Sequence, residues 1–291
     1  MTNITKKEKV ALVLEGGAKR GMYTAGVLDT LMKNNINIDG IIGVSAGALF
    51  GINYFSNQPG RVIRYTKKYS KDIRYISKLS LFLTGNIVNK NFAFYQVTKK
   101  LDPIDNQTFI KNNKDFYATV TNIETGKPEY IKITNPLEQL EYLRATSALP
   151  LASKIIKING KKYLDGALAD SIPIEKSKTL GYDKIIVVLT RPIDYRKSKV
   201  NDKELKLIKL KYHKYPNLIK NIETRHQNYN NTVENLIDLE NKKEIFVIRP
   251  SKPIIIDLIE RDNDKIEEIY NLGIDDATKK IDNLKKYLNQ K

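Results

Sequence analysis

Residues 41–51 read IIGVSAGALFG: an apolar run that stops at a serine set between two glycines and resumes as a run of small residues. The first half has the character of a buried strand, and the second half that of a helix able to pack closely on a sheet. The same order comes earlier in the chain. KVALVLEGG, residues 9–17, reads as a buried strand entering a glycine turn. From Gly21, the residues Met22, Ala25, Leu28 and Met32 then recur at helical spacing until Asn34 and Asn35. Strand, helix, strand, helix with short links is the pattern of a parallel α/β sheet. A strand over 38–44 would therefore deliver Ser45 to the C-terminal edge of such a sheet.

The pattern continues more loosely. Residues 61–110 are basic and tyrosine-rich, helical in part, and carry no chemical motif. Strands are expected over 116–121 and 130–133 around Thr125-Gly-Lys-Pro128, and a helix over 137–145. Segments 154–158 and 162–164 flank Asn159-Gly160, the signal of a two-residue hairpin. Residues 184–190, KIIVVLT, form another buried strand. Beyond Arg196 the sequence is lysine- and asparagine-rich and helical. One late strand over 244–249 could complete the sheet, and the last helical stretch, 262–288, is interrupted near Gly273. This predicts a core over 8–195 and a helical C-terminal segment, 196–291, built onto it.

A chain of 291 residues with 41% hydrophobic and 29% charged residues is globular, and no apolar run is long enough to cross a bilayer. Lysines precede the apolar stretch 10–14, but no cleavage-type segment follows it, so a cytoplasmic protein is expected. With Cys 0, disulfides and thiolate metal sites are excluded. The net charge of +17 has two readings: a lysine-, asparagine- and isoleucine-rich coding bias, or attraction to a polyanion. No nucleic-acid motif accompanies the charge, which leaves peripheral contact with an anionic membrane. Residues 61–100, with their tyrosines and Phe82, Phe92 and Phe94, are the face expected to seat there. No feature of the sequence sets an oligomeric state.

Gly43-Val44-Ser45-Ala46-Gly47 fits the G-x-S-x-G nucleophile elbow in its strand-turn-helix context. Side chains at the glycine positions would collide with the neighbouring strand and helix. The helix after Ser45 would aim its N–H groups and positive end at a forming oxyanion. The competing reading is a tight turn with an incidental serine. A nucleophilic serine needs a base. His213 and His226 are the chain's two histidines, and both lie in the lysine-rich helical segment without a turn to aim them. Ser45 also follows the second strand, too early for an α/β-hydrolase elbow.

A carboxylate is the better base. Asp165, in Tyr163-Leu-Asp-Gly-Ala167, ends the second hairpin arm and is followed by small residues, so it could enter a cleft or simply cap a turn. Asp170, Asp39 (a loop residue) and Asp29 (a solvent-facing helix charge) are weaker rivals. Glu15-Gly-Gly-Ala-Lys-Arg-Gly21 would bring backbone N–H groups to an anion at the end of the first strand. A dinucleotide fingerprint fits it less well, because Ala18 replaces the middle glycine and no acidic residue closes the next strand.

Taken in order, GGAKRG (16–21), GVSAG (43–47), ATSALP (145–150) and Asp165-Gly166-Ala167 resemble the motifs of a patatin-like phospholipase of the bacterial cytoplasmic sort, over about residues 9–190. The resemblance implies an α/β, three-layer patatin-like fold: a mainly parallel central sheet flanked by helices, here with a helical C-terminal segment. It also implies hydrolysis of lipid acyl esters, of the phospholipase A or lysophospholipase kind, by a Ser-Asp dyad without histidine, metal or other cofactor. Carried over, Ser45 is the nucleophile, Asp165 the base, and the turn Gly16, Gly17, Ala18 the oxyanion hole. The family usually has glycine where Ala18 stands. A catalytically silent lipid- or partner-binding protein on the same scaffold is the alternative, and a nucleotide-binding protein built on GGAKRG a more distant one.

Overall fold

The structure is a computed structural model that describes residues 8–289; the lysines ahead of Glu8 lie outside the described residues. β1 (Val10–Leu14) passes through a helical turn, Ala18–Arg20, into α1 (Gly21–Lys33), and β2 (Gly40–Val44) passes through Ser45 into α2 (Ala46–Phe55). An excursion follows, made of α3 (Arg61–Tyr69), α4 (Lys78–Thr84), a wide π-type helix (Lys90–Leu101) and α5 (Asn106–Asn112). The chain returns to the sheet as β3 (Asp115–Asn122) and β4 (Pro128–Lys132), and α6 (Leu140–Thr146) leads to the hairpin β5 (Ile156–Ile158) and β6 (Lys161–Asp165). α7 (Ile174–Thr179) and β7 (Lys184–Val188) then precede α8 (Asp202–Lys211), α9 (Pro216–Asn241), β8 (Phe246–Ile248) and α10 (Asn263–Leu288).

The strands form one sheet in the order β5-β6-β3-β2-β1-β7-β8, with β4 also paired to β3. The central five, β3, β2, β1, β7 and β8, are parallel. Their apolar runs are continuous because both faces are covered. Val10, Leu12 and Leu14 of β1 pack with residues of α1, α2 and α10, while Ala11 and Val13 pack with residues of α7 and α9. The mainly parallel, three-layer arrangement and the late strand at the sheet edge agree with the sequence.

Gly273 does not interrupt the last helix: α10 runs unbroken through it. A Cβ on Gly273 would lie 2.1 Å from the Tyr23 carbonyl oxygen, and one on Gly26 of α1 would lie 2.0 Å from that of Tyr270. The two glycines form a notch in which α1 and α10 cross nearly backbone to backbone. Glycine is here for close approach and not for bending. Asp29 is likewise no solvent-facing charge, since it accepts hydrogen bonds from the Gly60 N–H (2.8 Å) and the Tyr270 hydroxyl (2.6 Å).

The register at β3 positions the site. β2 pairs with β3 as far as Val44 opposite Thr119, and β6 pairs with it from Tyr163 opposite Asn122 to Asp165 opposite Val120. The other edge of β3 is taken by β4, which pairs with both Ala118 and Val120. β2 and β6 therefore share one edge of β3, run towards each other, and end on adjacent β3 residues. Ser45 and Asp165 are the residues at those two ends.

Candidate active site

Ser45 has φ 53° and ψ −124°, a left-handed conformation that a serine keeps only where its surroundings enforce it. The surroundings are specific. A Cβ on Gly43 would lie 2.6 Å from Ala48 Cα, and one on Gly47 would lie 2.6 Å from the Leu14 carbonyl oxygen. With side chains there, α2 could not begin directly on the end of β2. The Ser45 N–H donates to Thr146 Oγ1 (2.9 Å), and the Thr146 hydroxyl donates in turn to the Thr119 carbonyl. Thr146, which tethers the elbow to β3, was missed by residue-level reasoning; its only signal was its place in ATSALP.

Ser45 Oγ donates a 2.8 Å hydrogen bond to Asp165 Oδ2, joining residues 120 apart in the chain. The other carboxylate oxygen, Oδ1, accepts from the Ala167 N–H (2.8 Å), and Thr121 Oγ1 donates to the Asp165 carbonyl (2.8 Å). Both side chains are enclosed, with Ser45 6% and Asp165 1% exposed. A Cβ on Gly166 would stand 2.1 Å from the Thr119 oxygen, which accounts for the small residue after the aspartate. Burial pushes the Asp165 carboxyl above the ordinary aspartate value, opposed by the bonds from Ala167 and Ser45 and by the charge of Arg225.

The rival bases are engaged elsewhere. Asp170 accepts from the Tyr130 hydroxyl (2.7 Å) and the Ile172 N–H. Asp39 sits at the start of β2, the opposite end from Ser45, bound to the Val10 N–H and Lys114 Nζ. His213 is exposed. His226 is half-buried instead of lying on the surface, its Nδ1 enclosed without a partner beside Arg225 in a separate cleft.

The glycine turn backs onto the serine. A Cβ on Gly16 would be 3.0 Å from Ser45 Cβ, and one on Gly17 would meet Thr190 at 2.8 Å. Ala18 takes φ 47°, the left-handed conformation that the usual glycine adopts freely and that costs an alanine about 1 kcal/mol. Gly17 and Ala18 open the helical turn over 18–20, and the first N–H groups of such a turn have no acceptor within it. Glu15 anchors the turn. Its buried carboxylate accepts from the Thr190 N–H (2.6 Å), Thr190 Oγ1 (3.1 Å) and the Tyr229 hydroxyl (2.8 Å), tying β1 to the end of β7 and to α9. No role for Glu15 was apparent from the sequence, because its partners are 175 and 214 residues away.

Ser45 opens into a mainly apolar cavity of about 140 Å³, whose lining includes Met22, Leu49, Phe94, Leu143 and Leu149. Lys19 also lines it, and burial holds its ammonium pKa down to about 8 against the pull of Glu260. Phe92 and Phe94 are therefore not part of a membrane-facing surface. They are 4% and 8% exposed, packed inwards, whereas Phe82 on α4 is 86% exposed.

A serine and a carboxylate thus meet at strand ends that share one edge of β3, beside a glycine turn. The chain belongs to the patatin-like phospholipase family: the model of that description matches residues 12–176, and a second, a domain of unknown function (DUF6363), matches 215–289. It is similar to the uncharacterized protein YjjU of Escherichia coli, 28% identical over 272 residues that cover 91% of this chain and 75% of that one. It is also similar to lysophospholipase NTE1 of Meyerozyma guilliermondii, 29% identical over 210 residues. That match takes in 67% of this chain but only 14% of the much longer yeast protein. Among solved structures, VipD from Legionella pneumophila aligns with 95% of this chain and 67% of its own at a TM-score of 0.47 and 13% identity.

Proposed function

We propose that the protein hydrolyses carboxylic esters of lipids, of the phospholipase A or lysophospholipase kind, with Ser45 as nucleophile and Asp165 as base. The observation that carries this reading is the 2.8 Å hydrogen bond from Ser45 Oγ to Asp165 Oδ2 at the mouth of an apolar cavity. Asp165 takes the hydroxyl proton as Oγ attacks the acyl carbon, and the oxyanion is held by N–H groups of the turn Gly16, Gly17, Ala18. The proton then passes to the departing alkoxide. Water, deprotonated by Asp165, releases the fatty acid from the acyl-serine. A carboxyl raised by burial suits both directions of proton transfer better than one at its ordinary value. Family membership and the lysophospholipase names of relatives support the reaction class.

The test separates an enzyme from a catalytically silent binder on the same scaffold. A fluorophosphonate probe is expected to label the protein once, at Ser45, and not to label Ser45→Ala. An unlabelled, folded parent chain would favour the silent binder.

In this reading residues 8–195 form the catalytic core and 196–291 a helical segment packed on it. Among the described residues no helix is long and apolar enough to cross a membrane. Lipid is met peripherally in this reading. α4 provides the contact. Leu79, Phe82 and Leu83 are exposed there beside Lys78, and each lysine near an anionic surface adds about 1 kcal/mol of attraction. Cosedimentation with anionic vesicles is expected to fall steeply with added salt and to weaken in Phe82→Ser; salt-insensitive binding to zwitterionic vesicles would contradict it.

A further inference from the structure

A second cleft, of about 470 Å³, adjoins the apolar cavity at Leu149, and neither Ser45 nor Asp165 lines it. Its charged lining comes from outside the matched patatin region. Lys197 and Lys199 stand on the loop after β7, and Arg225, with His226 beside it, stands on α9. Glu204, the one carboxylate in the lining, is exposed at its rim. Among the described residues none of the three cations takes part in an ion pair. Arg225 Nε and His226 Nδ1 are enclosed with no hydrogen-bond partner.

Buried donors are ordinarily satisfied, and an unsatisfied group needs an explanation. Lys197 and Arg225 also repel each other in this half-closed cleft, while Lys199 is exposed. Burial, and then the charge of Arg225, holds the Lys197 pKa down to about 8, with Arg20 and Arg191 adding to the effect and Glu15 opposing it. The arrangement is nevertheless held in place. The Lys197 N–H donates to Asn230 Oδ1 (2.7 Å), Asn230 Nδ2 donates back to the Lys197 carbonyl (3.1 Å), and Arg196 pairs with Glu234 at 2.6 Å, clamping the loop to α9. An anion would relieve the repulsion and could accept from the Arg225 guanidinium.

The position of the cleft says which anion. Leu149 lines both this cleft and the apolar cavity, and Leu168, three residues after Asp165, lines the cleft. The charge of Arg225 is felt at Asp165 itself. An ester carbonyl at Ser45 with its acyl chain in the cavity would thus send its alcohol portion towards the cations. We propose that Lys197, Lys199 and Arg225 form a phosphate subsite selecting lipids with a phosphomonoester headgroup. This rests on the ester-hydrolase reading above and adds the headgroup that the enzyme prefers. A phosphocholine would bring a quaternary ammonium among three cations, with only the rim carboxylate of Glu204 to offset it, so a dianionic headgroup is favoured.

Two measurements on the full chain test this. The first is kcat/KM for a monoacyl glycerol phosphate, a monoacyl glycerophosphocholine and a monoacylglycerol of the same chain length. The phosphomonoester is expected to be the best substrate. Its kcat/KM relative to the monoacylglycerol should fall about 10- to 100-fold in Arg225→Gln and in Lys197→Gln, the effect of losing one charge-assisted hydrogen bond. No preference for the phosphomonoester, or an unchanged ratio in both variants, overturns the subsite while leaving the hydrolase reading intact. The second is calorimetric binding of the monoacyl glycerol phosphate, the monoacylglycerol and inorganic phosphate to Ser45→Ala, which needs no turnover. If no ester is hydrolysed, the hydrolase reading fails, and binding alone decides the subsite. Binding of the phosphomonoester lipid at least tenfold tighter than either other ligand, and weakened by Arg225→Gln, upholds it. Inorganic phosphate binding equally well marks a site for free phosphate and overturns the lipid assignment, as does equal binding of the two lipids.

Discussion

Ser45→Ala and Asp165→Asn are each expected to lower turnover of a short-chain p-nitrophenyl ester by at least about 10³-fold, because the proposed nucleophile and base would act as a unit. Both variants should fold. Alanine at 45 removes one hydroxyl, and asparagine at 165 retains an oxygen for the Ala167 N–H. Substantial turnover by either folded variant would mean that the wrong pair has been named. The parent enzyme should also carry the mark of a buried base. As the proposed base, Asp165 would act only as a carboxylate, and burial raises its pKa, so kcat/KM should decline on acidification above the usual aspartate value of about 3.9. Stability has the opposite dependence. Below the unfolded pKa both states hold the proton and nothing is lost. As pH rises towards the raised folded pKa, the unfolded chain ionises first and the fold loses stability. Asp165→Asn removes that loss, so at neutral pH it should melt no lower than the parent. An acid limb at or below the ordinary aspartate value would show that burial does not govern this carboxyl.

Gly273→Ala should destabilise the protein by about 3 kcal/mol, although glycine to alanine inside a helix normally stabilises by about 1 kcal/mol. The reversed sign is the diagnostic. The added methyl group would stand 2.1 Å from the Tyr23 carbonyl oxygen, a backbone atom that moves only if α1 or α10 moves. Calorimetry should show one transition lowered by at least about 6 °C. An unchanged or higher midpoint would rule out the close crossing. Two separate transitions would show that the C-terminal segment folds on its own, against the reading in which it is packed on the core.

What was legible in the sequence was local. The apolar runs of β1 and β2 and the small residues around Ser45 mark a strand-turn-helix because period, glycine sterics and helix spacing act over a few residues. The hairpin at Asn159-Gly160 follows from two residues that accept positive φ, here 49° and 79°. Asp165 could be placed at the end of its strand, but not opposite Ser45, because the register of β6 on β3 is set by packing between segments far apart in sequence. Distance also concealed Thr146, Glu15 and the cationic cleft, whose members lie in different elements. Gly273 misled for another reason: a glycine in a helical stretch reads as a break unless its neighbour across the helix interface is known. Phe92 and Phe94 look like Phe82 in the sequence, and only their place in the packing separates core and cavity wall from exposed surface.

Because β2 and β6 end against neighbouring residues of one strand, the gap between hydroxyl and carboxylate is measured off by the peptide spacing of Thr119 and Val120. Residues 61–112, which supply much of the cavity wall, leave after α2 and rejoin at the start of β3 without touching that spacing. Lengthening such a segment adds little closure entropy, about 0.6 kcal/mol for each doubling. On the proposed chemistry, reactivity and appetite are therefore set by separate parts of this architecture: one ruler, built into β3, spaces hydroxyl and carboxylate, while the cavity wall can change without disturbing it.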